Sequence, residues 1–216
     1  MIQGLLLWEW RPAGADEVFY LIIMNYRELP EGYRFAGTMD FTRNRKQVVA
    51  MLKLAVALVV IPLVLGALWH ITRLRPTPAP RFSETWYVWP AMLGMLVAYI
   101  PLHELTHGAV MYALSGVRPS FGIRLPYAYC GSTAWFDRIS HNVTALAPVV
   151  VWDIVLQILI AVLPREWFWP LWITQISNLS GSAGDIYCVW HLSRMKGDLL
   201  IRDDGTRMRI MRKIEK

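Results

Sequence analysis

The chain has 216 residues, of which 55% are hydrophobic and only 18% charged, with 11 tryptophans and a mean hydropathy of +0.34. This is too apolar for an ordinary water-soluble enzyme, and the length suits one domain or one membrane bundle with small soluble additions. The net charge of +6 is uneven, residues 194–216 holding 8 Lys/Arg against 4 Asp/Glu. Charges beside apolar runs set topology and touch anionic lipid head groups; no recognition motif accompanies them, so nucleic acid is not expected as a partner.

Met1 to Trp10 carries Glu9 and no basic stretch, which argues against a cleaved signal peptide. Val18 to Met24 is apolar but too short to span, and reads as a strand or an interfacial segment. Arg43, Arg45 and Lys46 then form a cytoplasmic anchor.

Four segments are long and apolar enough to cross a hydrocarbon core of about 30 Å. They run from about 48 to 71, 86 to 114, 143 to 163 and 167 to 190. Trp86, Trp89, Trp167, Trp169 and Trp172 gather at one end of spans two and four, as in an aromatic belt. Pro76, Pro78 and Pro80 stiffen the connector at 72–83. Residues 120–129 read as a short hairpin dipping towards the His-Glu motif of the second span, and 199–210 as two short strands around an Asp-Gly turn. Cys130 and Cys188 form no metal or redox spacing and read as free thiols.

The expected fold is an all-α membrane protein. Residues 47–193 form a four-transmembrane-helix bundle, with a cytoplasmic N-terminal segment at 1–46 and a basic cytoplasmic tail at 194–216, both β-containing. Basic residues place both termini in the cytoplasm. The second span then runs inward, and His107 lies roughly 10 Å below the cytoplasmic surface.

That second span contains His103-Glu-Leu-Thr-His107. Four residues apart on a helix, the two imidazoles project from nearly the same face and can bind one Zn²⁺, with Glu104 beside them to take a proton from water. Buried in a bilayer such groups are costly unless they coordinate something or line a wet cavity. A catalytic zinc needs a third protein ligand. Asp185 is the strongest candidate, closing the run Asn178-Leu-Ser-Gly-Ser-Ala-Gly-Asp185, whose small residues permit close helix approach. Asn178, Ser182 and Asp185 share a face. Asp153 is the other buried carboxylate; it could orient a ligand histidine or bond a neighbouring helix. His70, His141 and His191 lie near span ends, and His141 and His191 read as interfacial. Pro101 frees the Val97 carbonyl, and Gly108 permits a partner segment to come close.

His103-Glu-Leu-Thr-His107 in a membrane helix, followed by an Asn…Asp run in a later span, resembles the site-2 protease group of intramembrane metalloproteases. The shorter four-span layout, Leu29-Pro-Glu-Gly-Tyr33 and Gly181-Ser-Ala-Gly-Asp185 look more like a related family of zincin peptidases in bacterial membranes. The resemblance implies His103, His107 and Asp185 as zinc ligands, Glu104 as general base, and Asn178 as the residue that holds the substrate carbonyl. Two features depart from the site-2 pattern: Gly181 stands where a proline is usual, and Gly184 precedes Asp185 instead of following it. The resemblance also implies the cell membrane as location and a transmembrane or membrane-associated protein as substrate. A substrate helix would have to unwind locally to expose its scissile carbonyl, adding a strand to the 120–129 hairpin. The alternative is a non-catalytic membrane metal-binding protein, a carrier, sensor or assembly factor; a carboxylate poised beside the metal argues against it. The sequence specifies no oligomeric state.

Overall fold

The computed structural model describes residues 25–40, 44–72, 85–124 and 127–214. The expected segment at 18–24 and nearly all of the proline connector lie outside them. The molecule is mostly helical with some strands.

Strand β1 (Tyr33–Asp40) leads into helix α1 (Arg45–Thr72), whose first turn is held by the Asn44 side chain accepting the Gln47 N–H at 3.3 Å. Helix α2 (Val88–Ser115) stops at Gly116, which takes the left-handed conformation at φ 64° and returns its N–H to the Tyr112 carbonyl. Strands β2 (Ser120–Arg124) and β3 (Tyr127–Gly131) form the expected hairpin, followed by the short β4 (Phe136–Asp137). Helix α3 (Arg138–Val162) starts earlier than the expected span because Asp137 caps it, its carboxylate accepting the Ser140 N–H at 2.7 Å. After Pro164 come α4 (Phe168–Gly181) and α5 (Ala183–Ser193), then β5 (Leu199–Asp203) and β6 (Arg207–Lys213).

Among the described residues three helices are long and apolar enough to cross a membrane: Arg45–Leu68 of α1, α2 and α3. These mark a membrane protein. Val56, Val60, Val64, Leu93 and Ile158 stay exposed on their outer faces, the surface a bilayer would cover. The segment expected as a fourth continuous span is broken near Ser182, and its first half, α4, is about 21 Å long at 1.5 Å per residue. Helix α4 docks on α1 where Gly66 has no side chain: a Cβ there would lie 2.1 Å from the Trp172 Nε1. The same indole donates to the Pro62 carbonyl at 3.0 Å.

The two terminal extensions form one sheet, not separate pieces. Its order is β1-β6-β5-β4, antiparallel throughout. One face carries Met39, Leu199, Ile201, Met208 and Ile210, which pack on Cys188 and Leu192 of α5. Alternation along β6 sends Met208 and Ile210 inward and leaves Arg209 outside. The smaller hairpin packs on α2, with Phe121 and Pro119 against Gly108, where a Cβ would meet the Phe121 ring at 2.4 Å.

Candidate metal centre

Tyr99, His103, His107 and Met111 recur every four residues along α2 and form its buried stripe. The break between α4 and α5 puts Asp185 in the first turn of α5, turned back towards this stripe. The Nε2 atoms of His103 and His107 are 3.2 Å apart, and each lies 3.6 Å from Asp185 Oδ2. Among the described residues these three are brought together as a group able to hold a metal ion.

Their partners decide which atoms carry protons. His107 Nδ1 lies 2.8 Å from the Thr144 carbonyl, which only accepts, so Nδ1 carries the proton. The Asn178 Nδ2 donates to the Val149 carbonyl at 3.2 Å, and this orients the amide. Asn178 Oδ1 then accepts the Tyr99 hydroxyl at 2.7 Å, leaving the Tyr99 oxygen to accept from His103 Nδ1 at 2.6 Å. In the neutral imidazoles both Nε2 atoms are therefore bare, and with the carboxylate they form three lone-pair atoms facing one another with no proton between them. Atoms bound at about 2.0–2.2 Å around a tetrahedral ion stand roughly 3.3–3.6 Å apart. The observed separations fit a zinc ion.

Residues 96–200 match the model of a family described as "Putative zincin peptidase". No curated protein and no solved structure matches significantly. The matched region runs from α2 to the start of β5 and contains all three converging residues. The family points to a zinc metallopeptidase, with zinc as its cofactor.

The group opens into a cavity of about 270 Å³ that also receives Glu104, Tyr129, Cys130, His141 and Asp203. Glu104 follows His103 on α2, and the Cys130 backbone N–H of β3 is directed at its carboxylate. Burial, with the nearby Glu104 and Asp203 carboxylates, pushes the Cys130 thiol up to about 12. Both cysteines are free and buried.

The other sequence candidates lie elsewhere. Asn178 is fully buried, with both ends of its amide engaged as described. Asp153 accepts from the Gln175 side chain of α4 and is not part of the converging group. His191 stacks on Tyr187, and the His70 side chain lies outside the described residues. His141, expected at an interface, is 4% exposed and faces Asp203 at 3.9 Å. Motif reading passes over Tyr99 and Thr144. The four-residue stripe on α2 signals the first; the proline four residues after Thr144 signals the second. Asp203 has no local signal, because it reaches the cavity from the sheet.

Proposed function

We propose that this protein is an intramembrane zinc peptidase of the site-2 protease type, with His103, His107 and Asp185 as the metal ligands. The observation that carries this reading is the convergence of two imidazole Nε2 atoms and a carboxylate oxygen at tetrahedral spacing beside Glu104. A zinc ion held there would polarise the substrate carbonyl and make water acidic enough to react near neutral pH. Glu104, oriented by the Cys130 N–H, takes a proton from the attacking water and returns it to the leaving amine nitrogen as the C–N bond breaks. An extended substrate segment would lie along β3, whose Ala128, Tyr129 and Cys130 line the cavity.

The sheet supports a four-crossing arrangement. Strand β4 precedes α3 and pairs with β5, which follows α5. A chain that leaves across the membrane on α3 has to return for that pairing, and α4 with α5 is the segment available. Strands β1 and β6 pair on the same side, and the basic tail supports the cytoplasm as that side.

The test has two stages. Detergent-purified protein should carry about one zinc per chain, lost in His107→Ala and Asp185→Ala. Membrane-proteome N-termini should then be compared between cells expressing the wild type and Glu104→Gln. New termini in the wild type alone are expected; a metal-free wild type, or identical termini with both, refutes the assignment.

A further inference from the structure

Within a helix each carbonyl is normally taken by the N–H four residues further on, which leaves it a poor partner for side chains. Pro148 lies inside α3 and has no N–H, so the Thr144 carbonyl loses its helical donor. His107 Nδ1 takes that place at 2.8 Å. Pro148 is itself fully buried, so its ring packs within the protein and not against lipid. The second histidine is held differently: His103 donates to Tyr99 at 2.6 Å, Tyr99 to Asn178 at 2.7 Å, and Asn178 to the Val149 carbonyl at 3.2 Å. Each arrangement starts on a histidine of α2 and ends on a backbone carbonyl of α3.

We propose that Pro148, Tyr99 and Asn178 are metal-positioning residues that keep both histidine protons on Nδ1 and so turn both Nε2 lone pairs towards Asp185. The proposal rests on the zinc reading above and assigns roles that the His-Glu motif does not contain. It also gives Asn178 a task other than holding a substrate carbonyl, since its Nδ2 and Oδ1 are each engaged, the residue is fully buried and it does not line the cavity. Outer partners of ligand histidines fix ring orientation and tautomer, and losing one typically weakens metal binding about 10- to 100-fold.

The test is zinc affinity by chelator competition on the full chain in detergent, with the visible spectrum of the Co²⁺-loaded protein as second readout and apo-protein melting to register any loss of fold. Tyr99→Phe should weaken zinc about 10- to 100-fold and alter the Co²⁺ bands, while the apo protein stays folded and melts only a few degrees lower for the two hydrogen bonds lost. Asn178→Ala should act alike, and combining the two should cost no more than either alone, because they break one relay. Asn178→Asp keeps an acceptor for Tyr99 and should retain more affinity than the alanine variant. Pro148→Ala restores a competing N–H; its loss should multiply with that of Tyr99→Phe, because it acts on the other histidine. If Asn178→Ala fails to fold, Tyr99→Phe, Asn178→Asp and Pro148→Ala carry the test. Zinc affinity within about twofold of wild type in both Tyr99→Phe and Pro148→Ala overturns the proposal and leaves the peptidase reading standing. A wild type that binds no zinc overturns both.

Discussion

Gly131→Ala probes how the sheet closes over the cavity. A Cβ at Gly131 would stand 2.3 Å from the Asp204 carbonyl carbon, 2.4 Å from its oxygen and 2.7 Å from the Gly205 nitrogen. All three are backbone atoms, so no side chain can swing aside. Carbon atoms in contact prefer about 3.5–4.0 Å, so the β5–β6 turn has to retreat by roughly 1 Å. The Ser132 N–H to Asp203 carbonyl bond, 2.8 Å long, crosses the same contact and would lengthen with it. Overpacking of this kind costs about 1–3 kcal/mol, which raises the population of the open turn roughly 5- to 150-fold. Cys130 reports on it, because Gly205 packs against its carbonyl. With the thiol pushed up to about 12, native alkylation is slow. At pH 8 the thiolate is about 10³-fold scarcer than in an unfolded chain. In a Cys188→Ala background, Gly131→Ala should accelerate iodoacetamide labelling of Cys130 at least about fivefold and lower the melting temperature. Wild-type labelling and melting in the variant would refute the close backbone contact between β3 and the turn.

Three further outcomes follow from the packing. Asp153→Asn should keep the zinc that Asp185→Ala loses, because Asp153 bonds Gln175; loss of metal in the Asn variant, measured by elemental analysis, would contradict this. Gly66→Leu should separate α1 from α4 by driving into the Trp172 indole and lower the melting point sharply, whereas Trp172→Phe removes one hydrogen bond worth about 1 kcal/mol. Burial disfavours the charge on Asp204, but N–H bonds from Thr206 and Arg207 outweigh it and hold this carboxyl below its usual range. A carboxyl so depressed adds stability that is present above the ordinary carboxylate range and lost as pH falls through the folded value. Amide exchange at Thr206 and Arg207 should therefore accelerate on acidification in the wild type and be fast at all pH values in Asp204→Ala.

The His-Glu spacing, the lengths of the apolar runs and the Asp-Gly turn are local properties, because helix period, bilayer thickness and turn chemistry act over a few residues. They determined from sequence alone that the chain is a membrane protein, that His103 and His107 share a face, and that β5 and β6 form a hairpin. Asp185 was legible as a candidate from its small-residue neighbours, though only its position in space separates it from Asp153. The tertiary structure decided the rest. It broke the last apolar segment at Ser182, which lets Asp185 turn back towards α2. It joined β1, β4, β5 and β6 into one sheet, although its most distant partners, Tyr33 and Lys213, are separated by nearly the whole length of the described chain. It engaged Asn178 with Tyr99 and Val149, and brought His141 and Asp203 to the cavity from a helix and a sheet. Each of these depends on which faces of distant helices meet, and a periodic pattern names the buried face of a helix without naming what lies against it.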